Sequence, residues 1–467
     1  MRYNMSSVCC LAVAVVLLGS ELHAHVEDRP NVIFIMADDL GYGDVGCFGQ
    51  QQIATPNIDG LAAGGMRCTD AYAGSTVCAP SRCVLMTGKD TGHAIIRGNG
   101  TMPLPDEEVT LAEVLKQRGY ATAMFGKWGL GNPGDSGEPT AQGFDEYFGY
   151  LHQGHAHNYY PEFLFRNGEK VMLDNVVPNA KKSGAGKASV KNTYSHDLFI
   201  DESIRFIDEH TEEPFFLYVP LTIPHANNEA GGEGMEVPDL GQYAEKDWPE
   251  PQKGTAAMIT RMDSGVGRIL ERLKKHGLTE NTIVVFTSDN GPHREGGNKP
   301  DFFDSNGPLQ GIKRSMHDGG IRVPTIVSWP ARVSAGSTSD TPWMFADVLP
   351  TLAQAAGGQV PPGVDGVSVL ATWQGEEQDL SDRTLYWEFH ERGFKQAARK
   401  GKWKAVRQTS KGTPIQLYDL STDIGERDDV SAKHPEIVAE FETFFAEART
   451  PSKRWPGKFP ATTAPTE

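Results

Sequence analysis

The 467-residue chain is short of cysteine, short of positive charge and without an apolar run long enough to cross a membrane. Each shortage excludes something. Six cysteines are present, and two of them, Cys9 and Cys10, stand close to the N-terminus. The other four, Cys47, Cys68, Cys78 and Cys83, are too few to hold a chain of this length in a disulfide framework. None is spaced with histidine as a zinc ligand set would be. A cysteine here is therefore a candidate for chemistry. Lys and Arg number 44 against 61 Asp and Glu, a formal charge of −17. That balance argues against the basic face of a nucleic-acid binder, so an anionic substrate has to be caught by a local group of cations. Internal repeats are also lacking. What is present, 39% hydrophobic and 22% charged residues, excludes a wholly disordered chain. The 51 glycines imply many tight loops.

The N-terminal stretch carries one basic residue, Arg2, an apolar run from Val8 to Gly19, and the small residue Ala24. The run is shorter than the ~20 residues of a membrane span and reads as a secretory signal peptide over 1–24, cut after Ala24. Cys9 and Cys10 lack a convincing lipobox. Cleavage removes Arg2 and Glu21 and leaves the charge at −17. The expectation is an exported protein, periplasmic or secreted, with no membrane span.

Asn31 to Ala37 is a continuous apolar run, the pattern of a central strand buried on both faces, and it ends in Asp38-Asp39. Similar strands are expected at 121–125, 215–220, 282–288 and 325–328. Helices are expected at 111–116 and 256–276. This alternation predicts an α/β fold with a large, mostly parallel sheet sandwiched by helices. Composition changes near residue 375. Four short strands at 384–389, 396–400, 403–407 and 415–420 predict a small antiparallel sheet, followed by one helix from 435 to 448. The expected divisions are a catalytic domain at 25–375, a C-terminal subdomain at 376–449 and a mobile tail at 450–467.

Polar pairs follow two of the buried strands directly: Asp38-Asp39 and Asp289-Asn290. Asp347, after Phe345, is a third candidate. Ligands of open α/β sheets bind beyond the carboxyl ends of strands. Carboxylate and amide oxygens converging there suit a hard divalent cation. A lone Asp would instead be read as a helix cap. In Cys78-Ala79-Pro80-Ser81-Arg82, Pro80 fixes a turn start, and Arg82 with the amides of a new helix supplies positive potential beside the thiol.

Cys78-Ala79-Pro80-Ser81-Arg82, followed by Leu85-Met86-Thr87-Gly88, resembles the C-x-P-S-R…L-x-T-G signature of the type I, formylglycine-dependent sulfatases. Asn31 to Gly43, Gly126-Lys127-Trp128, Ser288-Asp289-Asn290-Gly291, and Gly311-Ile312-Lys313 with Gly319 to Pro324 resemble that family's other elements, in the same order. The resemblance implies an alkaline-phosphatase-like fold and sulfate-ester hydrolysis. It implies that a separate formylglycine-generating or anaerobic sulfatase-maturating enzyme oxidises Cys78 to Cα-formylglycine (3-oxoalanine). The hydrated aldehyde then attacks sulfur and later collapses to release sulfate, dividing one hard step into two. Asp38, Asp39, Asp289 and Asn290, with the modified Cys78, match the ligands of Ca2+. Arg82, Lys127, Lys313 and His225 match residues that steady the nucleophile, hold sulfate oxygens and serve the leaving oxygen.

One position departs from the family. Many members read G-K-W-H-L-G, but Gly129 stands where that histidine would. His152, His155 and His157 are the candidates to replace it. His155, His157, His293, Arg314, Glu388 and His390 are expected to bind substrate, with Arg294 and an exposed polar loop at 301–306 near the pocket. Trp387 and Phe389 fit either a sugar platform or the core. The implied substrate is sulfated carbohydrate, of galactose or N-acetylgalactosamine type by resemblance to bacterial polysaccharide-degrading sulfatases. Two other readings stay open: a phosphodiesterase or phosphonate monoester hydrolase of the same superfamily, and a non-catalytic sulfated-glycan binder motivated by Gly129.

Overall fold

The computed structural model describes residues 29–391, 393–408 and 414–457. The expected signal peptide at 1–24 and its two cysteines lie outside the described residues. Ten strands form the main sheet, in the order 337–339, 66–68, 325–328, 282–288, 31–37, 215–220, 121–127, 146–150, 163–166 and 169–172. The five strands from 282–288 to 146–150 run parallel, and antiparallel partners close both sides. Asn31–Ala37 is buried along its whole length, as its unbroken apolar run requires. Alternate side chains face opposite layers. Val32, Phe34 and Met36 pack toward Phe345 and Leu349, whereas Ile33, Ile35 and Ala37 pack toward the long helices Ser195–Glu209 and Glu250–Lys275. Burying each such aliphatic side chain is worth roughly 1.5–3 kcal/mol, so this strand anchors both layers.

The strands at 31–37, 215–220, 282–288 and 325–328 fall where the apolar runs place them. The strand expected at 121–125 continues to Lys127, and the helix expected from 256 begins at Glu250. Helices Pro56–Ala63 and Ser195–Glu209 and the edge strands at 146–172 were not expected from the sequence. The edge strands mix apolar and charged residues in runs of four or five, too short for a clear period.

Four antiparallel strands, 384–389, 395–400, 403–407 and 416–419, make the small sheet. Helix Pro435–Glu447 lays Phe441 and Phe445 on one face of it, against Tyr386, Ala398, Ala405 and Leu417. The other face joins the main core. Trp387 packs on Tyr72 at 5.1 Å and its indole donates to Ala73 O at 2.9 Å. Trp387 and Phe389 are thus core residues. Residues 450–457, expected to be loose, are tied down: Thr450 N donates to Gly92 O at 3.0 Å and the Trp455 indole to Ile95 O at 2.9 Å. Residues 458–467 lie outside the described residues. The stretch 301–306 is not an open polar loop either. Pro300–Phe303 forms a helical turn, and Phe303 is buried against Trp248 at 5.1 Å. Among the described residues no helix is long and apolar enough to cross a membrane, and Cys47, Cys68, Cys78 and Cys83 are all free.

Candidate active site

Strands 31–37 and 282–288 are parallel neighbours with Ala37 opposite Ser288. Their next residues therefore emerge side by side, which brings Asp38-Asp39 against Asp289-Asn290. Asp289 N donates to Ala37 O, and Asp39 N donates to Asp289 Oδ1, both at 3.1 Å. Asp39 adopts φ +66°, a left-handed conformation that turns its carboxylate back into the group.

Cys78 opens the helix Cys78–Thr87, all of whose residues are buried. Its Sγ lies 3.2 Å from Asp38 Oδ1. One turn on, Arg82 Nη2 donates to Asp289 Oδ2 at 2.7 Å, with Asp38 Oδ1 at 3.8 Å. Lys127, at the end of strand 121–127, donates to Asp38 Oδ2 at 2.7 Å. Lys313 Nζ donates to Asp39 Oδ2 at 2.6 Å. His225 Nε2 stands 3.5 Å from the same Asp39 oxygen, while Nδ1 bonds Ala226 O at 2.7 Å. Three strand ends, two loops and one helix start thus bring together all nine predicted catalytic and metal residues (Cys78 in both roles), with Asn290 completing the set: its Nδ2 donates to Asp39 Oδ1 at 2.6 Å.

The charges balance locally. Asp38, Asp39 and Asp289 contribute −3; Arg82, Lys127 and Lys313 contribute +3; all six are buried. Burial pushes the Asp38 carboxyl up, but Lys127, His225, Arg82 and Lys313 around it hold it well below the usual carboxylate range. Asp289 goes the other way, to about 7, through burial and then repulsion from Asp38. Burial, then Asp289 and Asp38, push the Cys78 thiol well up, so the unmodified side chain is a poor nucleophile. His225 is held well below its usual value by burial and then by Lys313, which favours the neutral ring.

The donor set fits a hard cation. Asp38, Asp39, Cys78 and His225 place one ligand atom each within 4.8 Å of one another, and Asn290 Oδ1 is buried beside them without a partner. Carboxylate and amide oxygens are what Ca2+ takes, and a dication would supply what the orphaned amide oxygen lacks.

Around this centre the substrate-binding expectations divide. His157 reaches it: its ring stacks on His225 at 4.9 Å and 11°, with Nδ1 3.2 Å from Glu229 Oε2. Arg314 stands at the mouth, bonded to Glu295 Oε1 at 2.9 Å and Glu391 Oε2 at 3.0 Å. His293 does not face the pocket. It backs His225 at 5.5 Å, and both its nitrogens are engaged, by Pro224 O and Glu295 N. Arg294 points to solvent and pairs with Asp301. His155 is a core residue between Tyr150 and Phe163, and burial lowers its pKa to about 3. Glu388 is buried and locked by Arg97, Arg449 and His390, so its carboxylate is not free for a sugar hydroxyl, and His390 spends its Nε2 on that carboxylate. Asp347 lies away from the cluster. It caps Met344 N and Val367 N and pairs with Arg383.

Two features escaped the sequence reading. Glu295, with Oε2 buried 3.7 Å from His225 Nε2 and 3.9 Å from Lys313 Nζ, belongs to the pocket wall. Its only signal was its place in the polar run after Asn290. The second is Gln153. Gly129 has φ +83°, and a Cβ there would overlap Gln153 Nε2, a buried donor without a partner. Gln153 therefore fills the space beside Gly129. Of the three candidate histidines only His157 contacts the site's own side chains; His152 Nδ1 accepts from Gly154 N.

Comparison with known proteins agrees with this geometry. The Sulfatase family model matches residues 30–358, and the model described as "N-sulphoglucosamine sulphohydrolase, C-terminal" matches 311–450. The chain is 33% identical to Arylsulfatase A of Homo sapiens over 451 residues, covering 86% of this chain and 83% of that protein. It is 30% identical to N-acetylgalactosamine-6-O-sulfatase of Bacteroides thetaiotaomicron, covering 91% and 94%. The solved structure of Ps i-CgsB superposes with a TM-score of 0.78 at 31% identity, covering 92% and 95%. The fold is of the sulfatase and alkaline-phosphatase kind, and the chain belongs to the sulfatase family of sulfuric ester hydrolases.

Proposed function

We propose that this protein is exported and hydrolyses sulfate esters of carbohydrate, of galactose or N-acetylgalactosamine type, after a maturing enzyme has converted Cys78 to formylglycine. The observation that carries this reading is the buried neutral cluster in which residue 78, three carboxylates and three cations meet at the ends of parallel strands. Asp38, Asp39, Asp289 and Asn290 would hold Ca2+, which when bound supplies a Lewis acid for charge developing at sulfur oxygens. Formylglycine at position 78 supplies a hydrated aldehyde whose second hydroxyl permits sulfate release, which a thiol cannot do.

The other side chains have roles their geometry suits. Arg82, held by Asp289, keeps positive charge one helical turn below residue 78. Lys127 and Lys313 each hold a carboxylate oxygen of the cluster and are the cations that receive sulfate oxygens. With His225 Nδ1 committed to Ala226 O, Nε2 is the atom that exchanges a proton with the leaving oxygen. His157, Glu295 and Arg314 line the mouth, where sugar hydroxyls would meet them. The substrate class is supported by relatives named for N-acetylgalactosamine 6-sulfate and by a solved complex of Ps i-CgsB with k-i-k-neocarrahexaose.

The test is sulfate release from 6-sulfated galactose, 6-sulfated N-acetylgalactosamine and 6-sulfated glucosamine, beside a phosphonate monoester and a phosphodiester, with and without a chelator. The galactose-configured sulfates are expected to be cleaved fastest, with activity lost to the chelator and restored by Ca2+. Faster turnover of the phosphorus esters would overturn the assignment, as would binding of the sulfated sugars without release of sulfate.

A further inference from the structure

The helix that begins at Cys78 has an unusual start. Its N-cap residue is Val77, whose side chain makes no cap hydrogen bond, and Pro80 has no N–H to offer. The amide of Ala79, directly after the reacting position, is capped from 20 residues further along the chain: it donates to Asn99 Oδ1 at 3.0 Å. Ala79 is buried whereas Asn99 is exposed, so this bond reaches from the surface to the start of the helix.

The loop that presents Asn99 is held from behind by the last described segment of the chain. Thr450 N donates to Gly92 O at 3.0 Å, and Trp455 Nε1 donates to Ile95 O at 2.9 Å. The Trp455 ring covers Gly98, where a Cβ would stand 2.8 Å from a ring carbon, so glycine alone fits. Arg449 and Arg97 meet on the two oxygens of buried Glu388, at 2.7 and 2.8 Å, and Arg97 Nε also ties back to Ala94 O at 2.8 Å. A continuous set of bonds therefore runs from residues 449–455 through 92–98 to Asn99 and the amide after residue 78.

We propose that Asn99 is a positioning residue for the reacting side chain at 78, supplying the helix cap that Val77 cannot, and that the C-terminal segment around Trp455 holds Asn99 in place. The proposal rests on residue 78 being the reacting group. Loss of a side-chain cap destabilises the first turn of a helix, and here it would be felt where the helix starts, because the helix is otherwise buried along its length.

The experiment compares wild type with Asn99→Ala, Asn99→Asp, Trp455→Ala and the double variant Asn99→Ala/Trp455→Ala. Each preparation is checked for modification of residue 78 by peptide mass, and kcat is expressed per modified site. Asn99→Ala is expected to lower kcat three- to tenfold, by the same factor for a sulfated sugar and for a small aryl sulfate, with KM nearly unchanged. Asn99→Asp keeps an acceptor and is expected to recover most of the loss in kcat. Trp455→Ala is expected to give a smaller loss that adds nothing in the double variant, because it acts through Asn99. Amide exchange in the peptide covering 75–85 is expected to speed up in Asn99→Ala. That readout needs no turnover, so it tests the cap even if sulfate esters prove not to be substrates. Unchanged exchange and kcat within twofold of wild type would overturn the proposal. So would a loss confined to KM or to the sugar substrate, which would make Asn99 a substrate contact. Additive losses in the double variant would overturn the role given to Trp455.

Discussion

Lys313 shows how much a single side chain carries in this site. Its ammonium is fully engaged with Asp39, 2.6 Å away, and lies 3.9 Å from Glu295. Burial pulls its pKa down, but Asp39 and the other anions raise it, so the group stays charged. A permanently charged donor aimed at a developing oxyanion is worth ~10²–10³ in kcat where such donors have been removed. Lys313→Ala is expected to lower sulfate-ester turnover by at least that factor with unchanged far-UV circular dichroism in the presence of Ca2+. Turnover near wild type would remove Lys313 from the site. At this scale the sequence was legible where chemistry is tied to a motif: Asp38, Asp39, Cys78, Arg82, Lys127, His225, Asp289, Asn290 and Lys313 converge as the resemblance implied. It was not legible where a role depends on which way a side chain faces. His155 and Glu388 carry the right chemistry, yet one packs among aromatic rings and the other is held by two arginines and a histidine. Glu295 and Asn99 meet partners far away in sequence, and only Glu295 has a local mark, its place in the polar run after Asn290.

At the scale of elements, the site is made by strand ends in register and by the end of strand 121–127 with the residues that follow it. Gly126, inside that strand, and Gly129, two residues beyond it, both lie at positive φ, at +139° and +83°. The space beside Gly129 is already occupied by Gln153, so the two positions are complementary. Gly129→His is expected to cost about 1–3 kcal/mol from backbone strain and overlap, measured as a lowered unfolding midpoint. Adding Gln153→Ala is expected to recover part of that loss. A single variant as stable as wild type would show that the turn is not constrained in this way. The central strands were readable because strands buried on both faces are continuous apolar runs. The edge strands were not, because short mixed runs carry no clear period. The helix Ser195–Glu209 does carry one, with Phe199, Ile200, Phe206 and Ile207 recurring at helical spacing on its buried face. The C-terminal tail was misjudged for a related reason. Its Pro- and Thr-rich composition hides Trp455, whose docking depends on Gly98 leaving room for the ring.

At the scale of the whole molecule, a chain of charge −17 presents a neutral buried cluster to an anionic ester, and the cation it would bind makes that spot positive. Buried charges tie the small sheet to the rest of the molecule, Glu388 with Arg97, Arg449 and His390 being one such group. Burial raises the Glu388 pKa, but His390, Arg449 and Arg97 lower it further, to about 2. A carboxylate depressed on folding stabilises above its unfolded pKa and loses that contribution as pH falls through its folded pKa. The contribution, about 3 kcal/mol, is therefore present above pH ~4.5 and fades toward pH ~2. Stability measured by urea unfolding is expected to fall over that window, and Glu388→Gln is expected to be less stable at neutral pH with a flatter acid limb. An unchanged acid limb in that variant would place the acid sensitivity elsewhere. The central claim, that residue 78 reacts as a formylglycine to cleave sulfate esters, is tested most directly by the mass of the peptide containing Cys78 in protein from a host with a maturing enzyme, read beside sulfate release from the same preparation. The account predicts a peptide about 18 Da lighter than the cysteine form, the exchange of thiol for aldehyde at the nucleophile, and activity proportional to the converted fraction. Full sulfate-ester turnover by protein whose Cys78 is entirely an unmodified thiol would contradict it.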